Sequence, residues 1–173
     1  MAKTGIFYAS AGGNTTMVAE ALKEAFDVDD NDFILMESDF DGISQFDDYD
    51  ILFLGSSTWG QGDVHFSWVD ALFEITSEDI SFEGKTVAFF GAGDSKKHKE
   101  HFCSALGKLY EVFKSRGANT VGFVSKDEYH YQFSLSQIDG RFCGLAIDNV
   151  NEADKTPKRM EAWIGQLKEE LKQ

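Results

Sequence analysis

The chain has 173 residues, with 30 acidic and 16 basic side chains and a formal net charge of −14. This charge excludes nucleic acid as a partner, because phosphate backbones are bound by basic surfaces, and it argues against an anionic membrane surface. No apolar run approaches the length of a membrane span, and the N-terminus lacks a signal-like pattern, so we expect neither feature. The length predicts a single domain over residues 1–173.

Two isolated cysteines, Cys103 and Cys143, form no C-x-x-C pair and no metal-ligand pattern. In a chain with 16 Phe, such cysteines are typical of buried thiols in a reducing compartment. The sequence therefore predicts a cytoplasmic protein without disulfides or bound metal.

Short apolar runs along the chain predict β-strands. Most of them are continuously apolar rather than alternating, which indicates parallel strands covered on both faces. The predicted strands are Thr4–Tyr8, Phe33–Met36, Ile51–Gly55, Thr86–Gly91, Val121–Val124 and Phe142–Ile147.

Amphipathic patterns between these runs predict four helices, the second shorter than the others. Thr156 and Pro157 read as the N-cap and first helical residue of the last helix. The apolar positions are Val18, Ala21, Leu22, Ala25 and Phe26; Phe66, Val69, Leu72 and Phe73; Phe102, Leu106, Leu109 and Phe113; and Met160, Trp163, Ile164, Leu167 and Leu171. Alternating strands and helices predict an α/β fold with a doubly wound parallel sheet.

The polar, aromatic stretch at 125–141 has no helical stripe and lies between two strand-like runs. We interpret it as an insertion that interrupts the last strand. Its aromatic residues Tyr129, Tyr131 and Phe133 either contact partner proteins or pack on the sheet.

Three loops follow the first, third and fourth predicted strands: Ser10–Thr15, Ser56–Asp63 and Gly91–His98. The first offers hydroxyl and backbone N–H groups at a helix start, without Lys or Arg, as an anion site requires. The second offers a tryptophan, and the third a carboxylate and an imidazole. Ligands of open parallel sheets bind beyond the carboxyl ends of the strands. A ligand with a phosphate and a planar ring, such as flavin mononucleotide (FMN), would match all three.

Each loop alone is weak evidence, because a hydroxyl-rich loop can be a helix cap, a tryptophan can be a surface plug, and glycine-rich turns are common. Together they resemble the motifs of the flavodoxins, specifically the long-chain kind with an insertion in the fifth strand. The resemblance is carried by Ser10–Thr15, Thr58–Gly60, Gly91–Asp94, Phe102–Gly107 and Gly144–Asp148. It implies a three-layer fold with a five-stranded parallel sheet in the order 2-1-3-4-5.

The resemblance also implies which residues bind FMN. Trp59 and His98 are expected to stack on the flavin ring, and Asp148 to lie near the ribityl chain. The expected cofactor-binding residues are Ser10, Ala11, Gly12, Gly13, Asn14, Thr15, Ser57, Thr58, Trp59, Gly60, Gln61, Gly91, Ala92, Gly93, Asp94, His98, His101, Phe102, Cys103 and Asp148.

Two residues depart from the family pattern. Gly12 stands where the family usually has threonine, so we expect FMN to bind more weakly than it would to a Gly12→Thr variant. His98 stands where the family usually has a stacking tyrosine. Because imidazoles titrate near neutrality, His98 is expected to make the lower flavin potential depend on pH, unless it points to solvent.

The resemblance implies a low-potential one-electron carrier without substrate turnover of its own. The Gly60–Gln61 peptide is expected to turn toward the flavin, and Asp63, Asp94 and Asp148 to lower the second potential. Expected partners are basic redox proteins: NADPH- or ferredoxin-dependent reductases and low-potential acceptor enzymes, bound transiently by a monomer near Trp59 and His98. Neither nucleic acid nor membrane is expected as a partner.

Three alternative functions would each require a different sequence pattern. An FMN-dependent quinone or NAD(P)H oxidoreductase could use the same fold, but the acidic single-domain chain with Trp59 over the flavin argues against it. A phosphoryl-accepting receiver domain would need acids where Ser10–Gly12 and Gly55–Ser57 stand. A nucleotide-hydrolysing P-loop would need Gly-Lys-Ser/Thr after the first strand.

Overall fold

Residues 2–172 are described by the computed structural model, and they form ten strands and four α-helices. The strands are β1 (Thr4–Ala9), β2 (Phe33–Leu35), β3 (Ile51–Trp59), β4 (Asp63–Val64), β5 (Thr86–Ala92), β6 (Asn119–Val121), β7 (Val124–Ser125), β8 (Gln137–Ile138), β9 (Arg141–Phe142) and β10 (Gly144–Ile147). The helices are α1 (Asn14–Ala25), α2 (Phe66–Ser77), α3 (Ser104–Ser115) and α4 (Thr156–Glu170). None of these helices is long and apolar enough to cross a membrane.

The main sheet runs β2-β1-β3-β5, and β6 and β10 share the fifth position. All of these strands are parallel. Strand β6 lies beside Thr86–Ala88, in the first half of β5, and β10 lies beside Phe89–Ala92, in the second half. The predicted parallel order 2-1-3-4-5 is therefore confirmed, with a divided fifth strand.

The division of the fifth strand is wider than the predicted insertion and runs from residue 122 to residue 143. It contains the antiparallel sheet β7-β9-β8, so both predicted strands at its borders are split. At the first border Gly122 has a φ of 83°, which ends the extended backbone, and its carbonyl accepts the Trp163 indole N–H at 2.8 Å. Tyr129 and Tyr131 pack against Phe142 in this segment, whereas Phe133 is exposed.

Two apolar layers cover the two faces of the sheet, which confirms the predicted three-layer architecture. Alternation along β1 sends Phe7 into one layer and Ile6 into the other. Helices α2 and α3 cover the Phe7 side, where Trp68 and Phe113 are buried. Helices α1 and α4 cover the other side.

The predicted buried face of α2 was wrong, although the helix itself is present. Phe66, Val69 and Phe73 are exposed, and the buried stripe consists instead of Trp68, Ala71 and Ile75. Both stripes have helical spacing, so periodicity alone did not distinguish them. The helix also has 12 residues, as many as α1 and α3, and is not shorter.

The start of α4 differs from its prediction by one residue. Thr156 is the first helical residue rather than the N-cap, and Lys155 precedes it. The Thr156 hydroxyl donates to Asn149 Oδ1 at 2.5 Å instead of capping the helix. The hydrogen bond to Asn149 therefore replaces the N-cap hydrogen bond that the sequence predicted for Thr156.

Candidate functional site

A pocket of about 270 Å³ opens where β1, β3 and β5 end. It brings together the three loops that were singled out in the sequence. Its lining consists of Ala11, Asn14, Ser57, Thr58, Trp59, Gly60, Ala92, Gly93, Asp94, Lys97, His98 and Val150.

The first loop leaves the start of α1 open for an anion. Gly12 and Gly13 have φ values of 78° and 87°, and the N-cap residue Gly13 has no side chain with which to cap the helix. The Thr15 hydroxyl is buried, and no atom in residues 2–172 forms a hydrogen bond with it. Ser10 Oγ accepts the Thr16 N–H at 3.4 Å. Unpaired donors at a helix start, without acidic residues in the first turn, are the groups that hold a phosphate.

The backbone conformation at Gly12 argues against the tighter FMN binding that was expected for the Gly12→Thr variant. A φ of 78° lies in the left-handed region, which is costly for a β-branched residue. Space is not the obstacle, because no atom lies within 4 Å of a Cβ built at this position. An additional hydroxyl at residue 12 would therefore require a change in the backbone, and we no longer expect it to tighten binding.

The second loop is fixed by two hydroxyl groups. Ser57 Oγ accepts the Ala11 N–H and the Trp59 indole N–H, both at 3.2 Å, and so joins the first loop to the second. Thr58 Oγ1 accepts the Ala105 N–H at 3.2 Å, at the start of α3. The Trp59 side chain is oriented by these contacts, yet the residue is 48% exposed, so its ring is available for stacking.

A tight turn follows Trp59. The Gly62 N–H donates to the Trp59 carbonyl at 3.0 Å, and Gly60 has a φ of 47°. Gln61 is exposed at the tip of this turn. Gly62 was not among the predicted site residues, although a Cβ there would lie 2.9 Å from Ser104 Cβ. The Gly-x-Gly spacing of Gly60 and Gly62 is typical of a tight turn and could have indicated this residue.

The third loop holds a charged carboxylate beside the pocket. Asp94 Oδ1 accepts the N–H groups of Lys96 and Lys97, at 3.2 and 3.0 Å, and the Asn151 side-chain amide at 2.8 Å. Partial burial by itself raises the pKa of Asp94, but these hydrogen bonds outweigh it and hold the pKa below its usual value. The His98 N–H donates to the Asp94 carbonyl at 2.9 Å, and its half-buried side chain lines the same pocket as Trp59.

Asp148 lies behind the pocket and is fully buried. Its Oδ2 accepts the Ser95 N–H and hydroxyl, and its Oδ1 accepts the N–H groups of Val150 and Asn151. Burial raises the pKa of Asp148, but the hydrogen bonds from Ser95 and Asn151 lower it by more. The carboxylate joins the loops that follow β5 and β10.

Several other predicted site residues do not line the pocket. Gly91, Phe102 and Cys103 are buried beneath it, and His101 is half-buried beside Gly62. Both cysteines are free and buried, as predicted. Burial raises the pKa of Cys103 well above its usual value and that of Cys143 to about 12, so both are unreactive thiols.

Sequence reasoning missed two lining residues, Lys97 and Val150. Lys97 is adjacent to the predicted His98, and its position in the Gly91–His98 loop is the signal by which it could have been found. Asp63, one of the acids expected to lower the second potential, forms an ion pair with Lys108 at 2.8 Å and lines a neighbouring groove instead. Its charge is therefore partly compensated.

A doubly wound parallel sheet with an anion nest and an exposed indole at its switch point defines a class of protein that binds a phosphorylated planar ligand. Comparison with known proteins specifies the family. The Flavodoxin family model matches residues 6–163. The chain belongs to the flavodoxin family.

Individual relatives match over the whole chain. Flavodoxin 1 of Azotobacter vinelandii is 48% identical over 171 residues, which cover 99% of this chain and 98% of the relative. Flavodoxin 1 of Escherichia coli K12 is 40% identical over 174 residues, which cover 99% of this chain and 96% of the relative. The structure of Fusobacterium nucleatum flavodoxin bound to flavin mononucleotide superposes with a TM-score of 0.86, at 32% identity, over 99% of this chain and all of the other.

Proposed function

We propose that this chain binds FMN without a covalent bond and serves as a low-potential carrier of single electrons. The observation that carries the proposal is one pocket that joins an uncapped helix start to an exposed indole, on the fold of a relative solved with FMN. Bound FMN would supply the redox chemistry, because it accepts and releases electrons one at a time.

The first loop fits the phosphate. The buried Thr15 hydroxyl lacks a partner, and a phosphate oxygen would provide one. The free N–H groups at the start of α1 would donate to the other oxygens. Because residues 10–16 contain no cation, the phosphate would keep its own negative charge. Ser10, Asn14 and Thr15 are the side chains that we expect to hold it.

The second and third loops fit the ring. Trp59 and His98 line the pocket from two different loops, and stacking on an aromatic ring contributes about 1–3 kcal/mol per ring. The Asp94 carboxylate disfavours additional negative charge in this pocket, and the acidic protein as a whole acts in the same direction. Both effects support a low reduction potential.

The partners that we propose are basic redox proteins, bound transiently: NADPH- or ferredoxin-dependent reductases as donors and low-potential enzymes as acceptors. A net charge of −14 would speed encounter with basic surfaces and would keep copies of this chain apart as monomers. The flavodoxin family supports a carrier rather than an enzyme, and we propose that role for this chain. The two buried thiols support a reducing, cytoplasmic location.

A fluorescence titration of the apoprotein tests the proposal. FMN should bind with a 1:1 stoichiometry, and riboflavin, which lacks the phosphate, should bind at least about 100-fold more weakly, since two charge-assisted hydrogen bonds are worth that much. Stepwise reduction should show two separate one-electron potentials. Equal affinity for riboflavin would contradict the phosphate site. Rapid NADPH oxidation by the purified protein alone would instead favour an FMN-dependent oxidoreductase.

A further inference from the structure

The exposed face of α2 carries an apolar stripe, of which only the first residue, Phe66, has a ring contact within residues 2–172, with the neighbouring His65 ring at a centroid distance of 4.4 Å. Phe66, Val69 and Phe73 follow one another at helical spacing and are 65%, 52% and 70% exposed. Large side chains of this kind are rarely left in a row on the surface of a monomer, and contiguous apolar patches mark interaction sites. We call these three residues the α2 stripe.

The α2 stripe begins at the proposed flavin site. Phe66 and Val69 line a groove of about 380 Å³ together with Trp59, Val64 and the Asp63–Lys108 ion pair. Trp59 also lines the site pocket. One indole therefore borders both concavities, so a protein seated in the groove would lie next to the edge of a ligand in the pocket.

Acidic side chains border the α2 stripe on its own helix. Asp70 lies between Val69 and Phe73 in sequence, Glu74 and Glu78 follow Phe73, and all three acids are exposed. Lys108 is the one basic residue in the groove lining, and Asp63 neutralises it. A complementary surface is therefore apolar at its centre and basic at its rim, and a second copy of this acidic chain does not match.

The other border of the site pocket has the opposite charge. Lys96, Lys97 and Lys99 are exposed around His98 and outnumber the two acids of this border, Asp94 and Glu100; Lys97 lines the pocket but not the groove. A basic partner is repelled there and attracted along α2. The two borders together specify the side from which such a partner approaches.

We propose that the α2 stripe is the docking surface for a redox protein whose cofactor edge is apolar and ringed by lysine or arginine. The proposal rests on the proposed function, because it assigns the partner surface of that site. On docking, one electron passes from the reduced flavin to the partner's cofactor, which is thereby reduced by one electron.

Cytochrome c is a suitable probe, because it is a basic protein with an exposed haem edge. The FMN-loaded chain is reduced photochemically and mixed with ferricytochrome c, whose iron takes one electron and becomes ferrous. The Phe66→Ser/Phe73→Ser variant should lose at least about fivefold in second-order rate constant, as expected for two aromatic contacts. Titration calorimetry at low salt should show a matching loss of affinity.

Two controls make the comparison specific. Phe133→Ser removes an equally exposed phenylalanine, 54% exposed, from the insertion and should leave both measurements within twofold. The rate with a small neutral quinone should be the same for all variants, which shows that the flavin site is intact.

Three results would overturn the assignment. The double variant could react with cytochrome c as fast as the parent, or Phe133→Ser could lose as much. Sedimentation could show a dimer that the double variant abolishes, which would make the stripe a self-association surface. If the parent chain takes up no FMN, the proposed function itself is contradicted. If the loaded chain reacts with cytochrome c equally well with and without the α2 stripe, only the docking assignment is contradicted.

Discussion

At the scale of single residues, Thr15 connects stability with ligand binding. Its buried hydroxyl lacks a hydrogen-bond partner in the described chain, and an unsatisfied buried polar group costs about 1–3 kcal/mol. The apoprotein therefore carries a cost that a phosphate would remove. A single side chain thus favours the loaded state over the empty one.

We predict that Thr15→Val stabilises the apoprotein by about 1 kcal/mol, because valine keeps the shape of the side chain and removes an unpaired buried hydroxyl. The same substitution should weaken FMN binding roughly tenfold, because the phosphate loses a hydrogen-bond donor. Urea unfolding and fluorescence titration measure the two effects. Thr76→Val, on the exposed end of α2, is the control and should leave FMN affinity unchanged. A Thr15→Val apoprotein less stable than the parent would mean that the hydroxyl has a partner, such as bound water.

Asp94 and Lys97 place opposite charges at the same pocket. We predict that Asp94→Asn makes the second flavin potential less negative and that Lys97→Gln makes it more negative. Each shift should be roughly 20–60 mV, the one-electron equivalent of about 0.5–1.4 kcal/mol. Spectroelectrochemical titration of each variant measures them. Shifts of the same sign in both variants would contradict the electrostatic explanation.

At the scale of elements, buried polar contacts decide how the loops are held. Asp148 joins the loop after β5 to the loop after β10 through Ser95, Val150 and Asn151. The folded-state pKa of Asp148 is lowered, so its stabilising effect is present above the unfolded pKa and is lost as pH falls through the folded value.

We predict that Asp148→Asn destabilises the apoprotein by about 1–3 kcal/mol at neutral pH, because an amide cannot accept all of these hydrogen bonds. The difference from the parent should begin to shrink as the pH falls below the ordinary pKa of an aspartate and should vanish once it passes the lowered folded-state pKa of Asp148. Urea unfolding across this pH range measures it. Asp127→Asn, at an exposed site in the insertion, is the control. A difference that persists undiminished in acid would exclude the carboxylate charge as its cause.

Two helical glycines offer a matched test of how the insertion is seated. A Cβ at Gly107 in α3 would clash with the Leu135 carbonyl group, whereas a Cβ at Gly165 in α4 would meet nothing within 4 Å. The Gly107 N–H also donates to Ser136 Oγ at 2.8 Å. The insertion therefore rests directly on the α3 backbone at this glycine.

We predict that Gly165→Ala stabilises the protein by about 0.5–1 kcal/mol through helix propensity. Gly107→Ala should destabilise it despite the same gain in propensity, because Leu135 must move. Thermal or urea unfolding of both variants decides the question. Equal stabilisation by the two substitutions would show that Leu135 moves away from residue 107 at little energetic cost.

At the scale of the whole molecule, the net charge of −14 acts in two directions. Self-repulsion destabilises the folded state, and the same field attracts basic partners. We predict that raising the salt concentration from about 0.01 M to about 0.15 M raises the urea midpoint of the apoprotein and lowers the rate of electron transfer from the FMN-loaded chain to cytochrome c, because screening weakens both effects. The rate with a neutral quinone should stay constant. A rate with cytochrome c that is independent of salt would exclude electrostatic steering.

The prediction of the fold succeeded where the residues act locally. Continuous apolar runs indicated buried parallel strands, and the spacing of hydroxyl, glycine and aromatic residues indicated a ligand edge beyond three strand ends. The prediction was wrong at α2, because this helix is apolar on more than one side and only its packing against the sheet selects the Trp68 side. The hydrogen bonds that hold Asp148 could not be predicted from the sequence, because they come from two separate loops.

The sequence by itself determined the alternation of strands and helices, the acidic charge and the cation-free loop, because each depends on residue type and short-range spacing. Tertiary structure alone decided which face of α2 is buried, that the Thr15 hydroxyl has no partner in the described chain, and that Val150 reaches the pocket that Asp94 lines. These features depend on which surfaces meet when distant segments pack together. Burial, and with it the energy of each polar or apolar group, is a property of that packing.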